Sequence, residues 1–418
     1  MKVLMINNNH FLKGGATRAY FDAISVLERN GHEVAHFSTI GKDNIFSPWE
    51  RFFVKYNDLS DSSRYSFFKK ICVVFRIWYN FETRKKLRAL LAEFKPDIAH
   101  LHNIYHHLSP SVIDELKRHN IPIIMTLHDF KIVSPNYDLY CRGKVYDRCR
   151  HHRYYECVID KCVKDSYWKS FVCMVEAYLH QFLGTYDKVD VFTAPSIFYA
   201  HKAKEFGFKR KIHLLPNPLL NISKPDESAE IDDKGKYFLF YGQLTQEKGI
   251  DDLIKAYARC GVKEKLLVLG DGPLRKSMEK LARNESVIEK MRFISFRGSS
   301  NEQIISLQKN ALCVVSPSKC YENAPYSVLE AMSLGKAVLC SDKGGAKEMV
   351  GNGSRGFIFE QGNVDDLART MKSIAINSDE RRRRGRIARN YVKKRYSQDI
   401  FYSSLMSLYQ KAQQSHNL

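Results

Sequence analysis

Along most of the chain, short and nearly continuous apolar runs alternate with longer segments of helical period. In the first half the runs are Lys2–Asn7, Val34–Phe37, Ile98–Leu101, Ile121–Thr126, Val191–Ala194 and Ile212–Leu215. In the second they are Tyr237–Tyr241, Leu266–Leu269, Arg292–Ser295, Leu312–Val315 and Ala337–Cys340. A strand that is apolar at nearly every position has no solvent face, so these runs predict parallel sheets covered on both sides. Between them the periodicity predicts helices at Thr17–Asn30, Gly249–Arg259, Leu274–Arg283, Asn301–Gln308, Tyr326–Ser333 and Val364–Ile376. Thr17 reads as the N-cap of the first and Gly31 as its stop. Residues 221–236, NISKPDESAEIDDKGK, lack any periodic apolar pattern and read as a linker. The fold class is therefore α/β, with two Rossmann-like halves. The boundaries expected are 1–220, holding a Cys-rich insertion at about 138–170, then the linker 221–236, then 237–396, with 397–418 as a tail. In such folds a ligand sits outside the C-terminal ends of the strands.

Composition narrows the class. A 418-residue chain with 44% apolar residues and 12 prolines is folded and too long for one ordinary core. No apolar run approaches the ~18 residues that span a bilayer. The start MKVLMINNN reads as a buried strand rather than a signal peptide, so a cytoplasmic protein with its ten cysteines reduced is expected. The formal charge of +20 calls for a polyanion: nucleic acid, an anionic membrane surface or phosphorylated substrates. No nucleic-acid-binding module is recognisable, and no nucleic acid is expected as a partner.

The candidate chemistry centres on YENAPYSVLEAMSLG, Tyr321–Gly335. Pro325 suits a first helical turn and disfavours helix just before it. A helix starting there buries Val328, Leu329 and Met332, with Glu322 in the entering loop and Glu330 in the second turn. The unbonded amides at its start suit an anion such as phosphate. Two carboxylates flanking a phosphate cradle suit a nucleotide sugar. Three more loops join a strand to a helix: GQLTQEKG at Gly242–Gly249, GDGP at Gly270–Pro273 and SDKGGAKE at Ser341–Glu348. LHD, Leu127–Asp129, ends a strand of the first half.

Together these residues resemble the retaining glycosyltransferases of family 4, which have the GT-B fold of two Rossmann-like domains facing across a cleft. The resemblance implies that Glu322 contacts the donor sugar and Glu330 the ribose. The diphosphate then lies between them, at Asn323-Ala324-Pro325-Tyr326. It implies that Lys248 and the loop Gly14-Gly15 meet the phosphates, that Gly270 lines the site, that Gly298 is near the base, and that His128 stands by the donor sugar and acceptor. The family's usual Gly-Arg-Leu is Gly242-Gln243-Leu244 here, so Gln243 carries no charge where an arginine normally shares the diphosphate. No dedicated nucleophile and no catalytic metal or cofactor are implied. The tail, from Asp379 to about Gln413, resembles C-terminal helices that return to the N-terminal domain. The partners implied are a nucleoside-diphosphate sugar and a saccharide or polyprenyl-linked acceptor, as in capsule, O-antigen or exopolysaccharide synthesis. The alternatives are a nucleotide-sugar epimerase of the same fold and a basic nucleic-acid-binding protein.

Two segments stand outside that resemblance. Residues 64–95 hold nine Lys/Arg against two acids, interleaved with Phe67, Phe68, Phe75, Trp78, Tyr79 and Phe81. That mixture suits peripheral contact with an anionic membrane, and equally an amphipathic helix with core aromatics. Residues 141–162 hold Cys141, Cys149, Cys157 and Cys162, for which a structural zinc held by four thiolates is the expectation and labile disulfides or free structural cysteines are the alternatives.

Overall fold

The computed structural model of the protein describes residues 1–56, 67–220, 237–296 and 300–417. The expected linker, Arg64 and Gly298 lie outside the described residues, as do the side chains of Phe67–Lys70. The chain forms two compact units. The first holds Met1–Asp138, Asp147–Pro218 and Gln398–Leu418, and the second holds Leu139–Tyr146 and Leu219–Ser397. The hairpin Tyr140–Cys141/Lys144–Val145, expected within the first domain's insertion, thus sorts with the second unit.

The first unit is built on a six-stranded parallel sheet. From one edge its strands are Ile212–Leu214, Val191–Ala194, Ile123–Thr126, Ile98–Leu101, Lys2–Ile6 and Glu33–Phe37. Val3, on the strand next to one edge, pairs with Val34 on one side and Ile98 on the other. Val3–Ile6 are fully buried, which explains why this strand reads as an unbroken apolar run. The order of strands reverses between Lys2–Ile6 and Ile98–Leu101, a topological switch point. The helix Gly15–Arg29 packs through Ala19, Tyr20, Ala23 and Leu27. It starts two residues earlier than the sequence suggests. Thr17 is its third residue, and its Oγ1 accepts the amides of Lys13 and Gly14 at 2.9 and 3.1 Å, so it caps from inside the helix. The last helix, Gln398–His416, also belongs here: Leu405, Tyr409 and Ala412 are buried, and Tyr409 Oη bonds His100 Nδ1 at 3.0 Å.

The second unit has a six-stranded parallel sheet of strands Met291–Ile294, Lys265–Leu269, Tyr237–Tyr241, Cys313–Ser316, Ala337–Ser341 and Phe357–Phe359. In chain order these run 3-2-1-4-5-6, the Rossmann order, with its switch point between Tyr237–Tyr241 and Cys313–Ser316. The edge strand Phe357–Phe359 escapes the sequence reading because three residues carry too little pattern. The expected helices appear within a residue or so, at Ile250–Cys260, Arg275–Asn284, Asn301–Lys309, Tyr326–Ser333 and Val364–Ile376.

Several charged groups and two of the sulfurs take specific partners here. Three of the four cations of the basic helix Phe81–Phe94 have partners within the protein: Arg84 and Arg88 each donate to buried Glu115 at 2.8 Å, and Lys86 Nζ donates to the carbonyl of Phe53. Cys157 and Cys162 are joined in a disulfide, brought together by a short helix at Glu156–Ile159 and a return bond from Cys162 N to Cys157 O of 2.9 Å. A disulfide sulfur is not a thiolate ligand, so with this bond in place Cys157 and Cys162 take the disulfide alternative and do not serve as zinc thiolates. Cys141 lies on the hairpin of the second unit and Cys149 is buried in the first.

Candidate functional site

In the second unit the loops after the two switch-point strands lie flush. Gly249, which ends the turn Gln246–Lys248, has φ +70°, and a Cβ there would come within 1.9 Å of the carbonyl oxygen of Pro317. Only glycine allows both that backbone and that approach. The loop Gly242–Gly249 is thereby pressed against Pro317–Pro325, and Lys319 N donates to Glu247 O at 2.8 Å. The consequence is a contact invisible in the sequence: Lys248 Nζ donates to Glu322 Oε1 at 2.5 Å across 74 residues. Ser318 Oγ donates to the same oxygen at 2.8 Å, leaving Oε2 outside both bonds.

The electrostatics follow from this pair. Burial pushes the Lys248 ammonium pKa down, but the Glu322 carboxylate together with Cys320 and Glu247 outweighs it and the net shift is upward. Burial pushes Glu322 up, while the Lys248 charge and the bonds from Lys248 and Ser318 pull it below the usual carboxylate range. Both groups are therefore charged at neutral pH.

Glu322 is also held from behind. Its carbonyl accepts from Gly345 N at 2.6 Å, and a Cβ on Gly345 would sit 1.6 Å from the carbonyl oxygen of Asn323. The glycines of SDKGGAKE thus seat the Glu322 loop. The helix Tyr326–Ser333 begins with Pro325 as its N-cap and buries Val328, Leu329 and Met332. Val328 and Leu329 N both donate to Pro325 O at 3.1 Å, and the amides of Tyr326 and Ser327 precede the first of these intrahelical bonds. Asn323 is buried and Ala324 half-buried beside them. Glu330, one turn on, accepts at Oε2 from Gln308 Nε2 at 2.8 Å. Gln308 and Ser318, which orient the two glutamates, gave no motif signal, because their role depends on packing across the sheet.

Gln243 is exposed at the tip of its loop. Gly270 packs on that loop, where a Cβ would lie 1.9 Å from Gly242 O. Near the end of the same sheet, Phe296 stacks on Tyr241 with centroids 6.0 Å apart, and its amide donates to Asp271 at 2.9 Å.

In the first unit Gly14 and Gly15 are exposed at the start of the helix Gly15–Arg29. His128 follows the strand Ile123–Thr126. Its Nε2 shares a hydrogen bond of 2.8 Å with His102 Nδ1, and burial pushes its pKa down to about 4. It is a neutral imidazole at neutral pH, suited to hydrogen bonding a hydroxyl rather than carrying charge. In the same unit, His106, Cys173 and Glu176 have ligand atoms within 4.8 Å of one another. Lys131 Nζ meets Glu176 at 2.8 Å, so an ammonium already neutralises that carboxylate.

The match to known proteins covers both units. The model described as Glycosyltransferase Family 4 matches residues 13–219, and the model described as Glycosyl transferases group 1 matches residues 222–391. The protein is a family 4-like glycosyltransferase of the GT-B fold. An uncharacterized glycosyltransferase of Methanocaldococcus jannaschii is 27% identical over 396 residues, covering 92% of this chain and 91% of that one. A Campylobacter jejuni enzyme named as an N-acetylgalactosaminyltransferase acting on a diphospho-undecaprenol-linked sugar is 28% identical over 142 residues, 34% of this chain and 38% of its own. Among solved structures, sucrose-phosphate synthase from Thermosynechococcus elongatus aligns with a TM-score of 0.70 at 16% identity, covering 98% of both chains. Anabaena HepE in complex with UDP and glucose aligns with a TM-score of 0.68 at 14% identity, covering 98% of this chain and 99% of that one. For this glycosyltransferase, the Lys248–Glu322 pair lies in the half matched by the group 1 model.

Proposed function

We propose that this glycosyltransferase retains anomeric configuration and moves a sugar from a nucleoside-diphosphate sugar to a saccharide or polyprenyl-linked saccharide, in surface polysaccharide synthesis. The observation that carries the reading is the Lys248–Glu322 pair at the switch point of the second unit, beside the amides at the start of Tyr326–Ser333. Lys248 and those amides stabilise the charge that grows on the leaving diphosphate. Glu322, anchored through Oε1 to Lys248 and Ser318, offers Oε2 to a donor-sugar hydroxyl. Glu330, oriented by Gln308, accepts from the ribose hydroxyls. The leaving phosphate oxygen takes the acceptor's proton on the face it departs from, so no side-chain nucleophile is needed. The UDP and glucose bound by HepE make a UDP-hexose the first donor to test.

Calorimetry with UDP and GDP tests the assignment. Lys248→Ala and Glu330→Ala weaken binding of the preferred nucleotide, and Lys248→Ala also loses roughly 3–4 kcal/mol of transition-state stabilisation. Unchanged affinity in both variants overturns the donor site.

A further inference from the structure

The helix Tyr167–Phe182 is turned inside out. Its buried side carries Ser170, Cys173, Glu176 and His180 along with Val172. His180 bonds Thr185 Oγ1 and the carbonyl of Trp78, each at 3.0 Å, and Glu176 meets Lys131. The outer side carries Tyr167, Trp168, Phe171, Tyr178 and Phe182, of which Trp168 is 60% and Phe182 87% exposed. Tyr167, Phe171, Tyr178 and Phe182 fall within about 60° of arc, so they form one stripe along roughly 24 Å of helix. An ordinary amphipathic helix turns its apolar stripe to the core and its polar groups to water. Scattered exposed aromatics mean little, but a continuous stripe backed by buried polar groups marks a surface for a non-aqueous partner.

The neighbouring helix Phe67–Trp78 packs on this one, with Trp78 Nε1 donating to the carbonyl of Val172 at 3.1 Å, and it adds Phe75 at 61% exposure. Cations flank the stripe's start: Lys161 Nζ lies 4.3 Å over the Tyr167 ring, Lys164 is exposed and Lys169 half-exposed. Tryptophan, tyrosine and phenylalanine bordered by lysine are the side chains that settle at the headgroup level of a bilayer. Among the described residues no helix is long and apolar enough to cross a membrane. We propose that the outer face of Tyr167–Phe182 docks flat on an anionic lipid surface. The aromatics enter the boundary between headgroups and acyl chains, and Lys161, Lys164 and Lys169 meet lipid phosphates. The inference stands apart from the donor site and does not use it.

The test uses the full chain with vesicles of phosphatidylcholine, alone and with phosphatidylglycerol added. The wild type is expected to sediment with the anionic vesicles at low salt and to be released by salt. Brominated acyl chains are expected to quench its tryptophan fluorescence, and Trp168→Phe to remove that quenching. Trp168→Ala with Phe182→Ala weakens partition by roughly tenfold or more, because binding scales with buried apolar area. Lys161→Gln, Lys164→Gln and Lys169→Gln together remove the preference for phosphatidylglycerol. UDP affinity stays at the wild-type value in every variant, which separates this surface from the donor reading. Failure of the wild type to bind anionic vesicles overturns the proposal. So does a dimer in sedimentation velocity that the aromatic variants split while vesicle binding is absent, since the stripe is then an interface between copies.

Discussion

Lys248 and Glu322 hold each other in the charged state, so the pH range over which the pair acts follows from their shifts. Glu322 has its pKa lowered from 4.5, so its contribution to stability is complete above that value and is lost as pH falls through its folded pKa. Lys248 has its pKa raised from 10.5, so its contribution is complete below that value and is lost as pH rises through its folded pKa. The pair is thus constant across the physiological range. Glu322→Gln separates its roles: Lys248 loses its neutraliser, so UDP binds at least as tightly. Turnover falls by the worth of a hydrogen bond to a charged group, about 1.5–3 kcal/mol. Calorimetry beside single-turnover kinetics reads both. Gln243→Arg, at an exposed position on the neighbouring loop, is expected to tighten UDP binding in the same calorimeter, and a weaker complex assigns Gln243 a shape role instead. Gly249→Ala meets both a positive φ and the carbonyl oxygen of Pro317, and is expected to cost about 2 kcal/mol or more in urea unfolding.

At the scale of elements, charge runs turn out to be structural where their sequence looks merely solvated. The helix Ser378–Arg395 contains four consecutive arginines, yet Arg381 is buried and its Nη1 donates to the carbonyls of Ile374 and Ala375, the latter at 2.9 Å. These are orphan acceptors at the end of Val364–Ile376. Arg384 likewise donates to Gly356 O at 2.6 Å. Arg381→Ala is expected to destabilise the second unit by about 1–3 kcal/mol, the cost of buried acceptors left unpaired. Arg383→Ala, on the solvent side and paired with Glu380, changes stability by less than about 0.5 kcal/mol. Thermal melts of the two variants side by side make the comparison. The disulfide is a second element-scale feature. It closes a loop five residues long in sequence separation, and chain-entropy reasoning gives it about 2 kcal/mol. Reduction, or Cys157→Ser with Cys162→Ser, should lower the melting temperature of the first unit, and intact-mass measurement before and after reduction shows whether the bond is present.

For the whole molecule, all 15 histidines fall in the first unit and none in the second. Several are buried and neutral. Burial and a neighbouring imidazole take His10 and His100 down to about 3, and burial takes His36 and His128 to about 4. Each has a folded pKa below its unfolded 6.5, so the unfolded chain gains protons first as the solution turns acid. The stability they leave intact above pH 6.5 is lost as pH falls toward 4, by about 1–2 kcal/mol per imidazole at pH 5. Scanning calorimetry at pH 5 is expected to show the first unit melting well before the second, with the two transitions drawing together at pH 7.5. A second unit that melts first at pH 5 contradicts this.

Sheets, helices and the main motif were legible in the sequence because each depends on local pattern. Eleven of the apolar runs became strands since a buried parallel strand must be apolar throughout, and Pro325 set the start of Tyr326–Ser333 through its own steric limits. The Glu322–Glu330 element and the glycine loops pointed to a glycosyltransferase before any contact was known. What the tertiary structure decided lies between residues far apart in the chain. The switch point brings Lys248 to Glu322, and Gly345 seats that loop. Gln308 reaches Glu330 from another helix, and Glu115 gathers Arg84 and Arg88. The same holds for the helix Tyr167–Phe182, whose buried side holds Glu176 and His180 while Trp168 and Phe182 face outward. Periodicity states that one face of a helix differs from the other, but only the packing of the rest of the chain selects which face is covered.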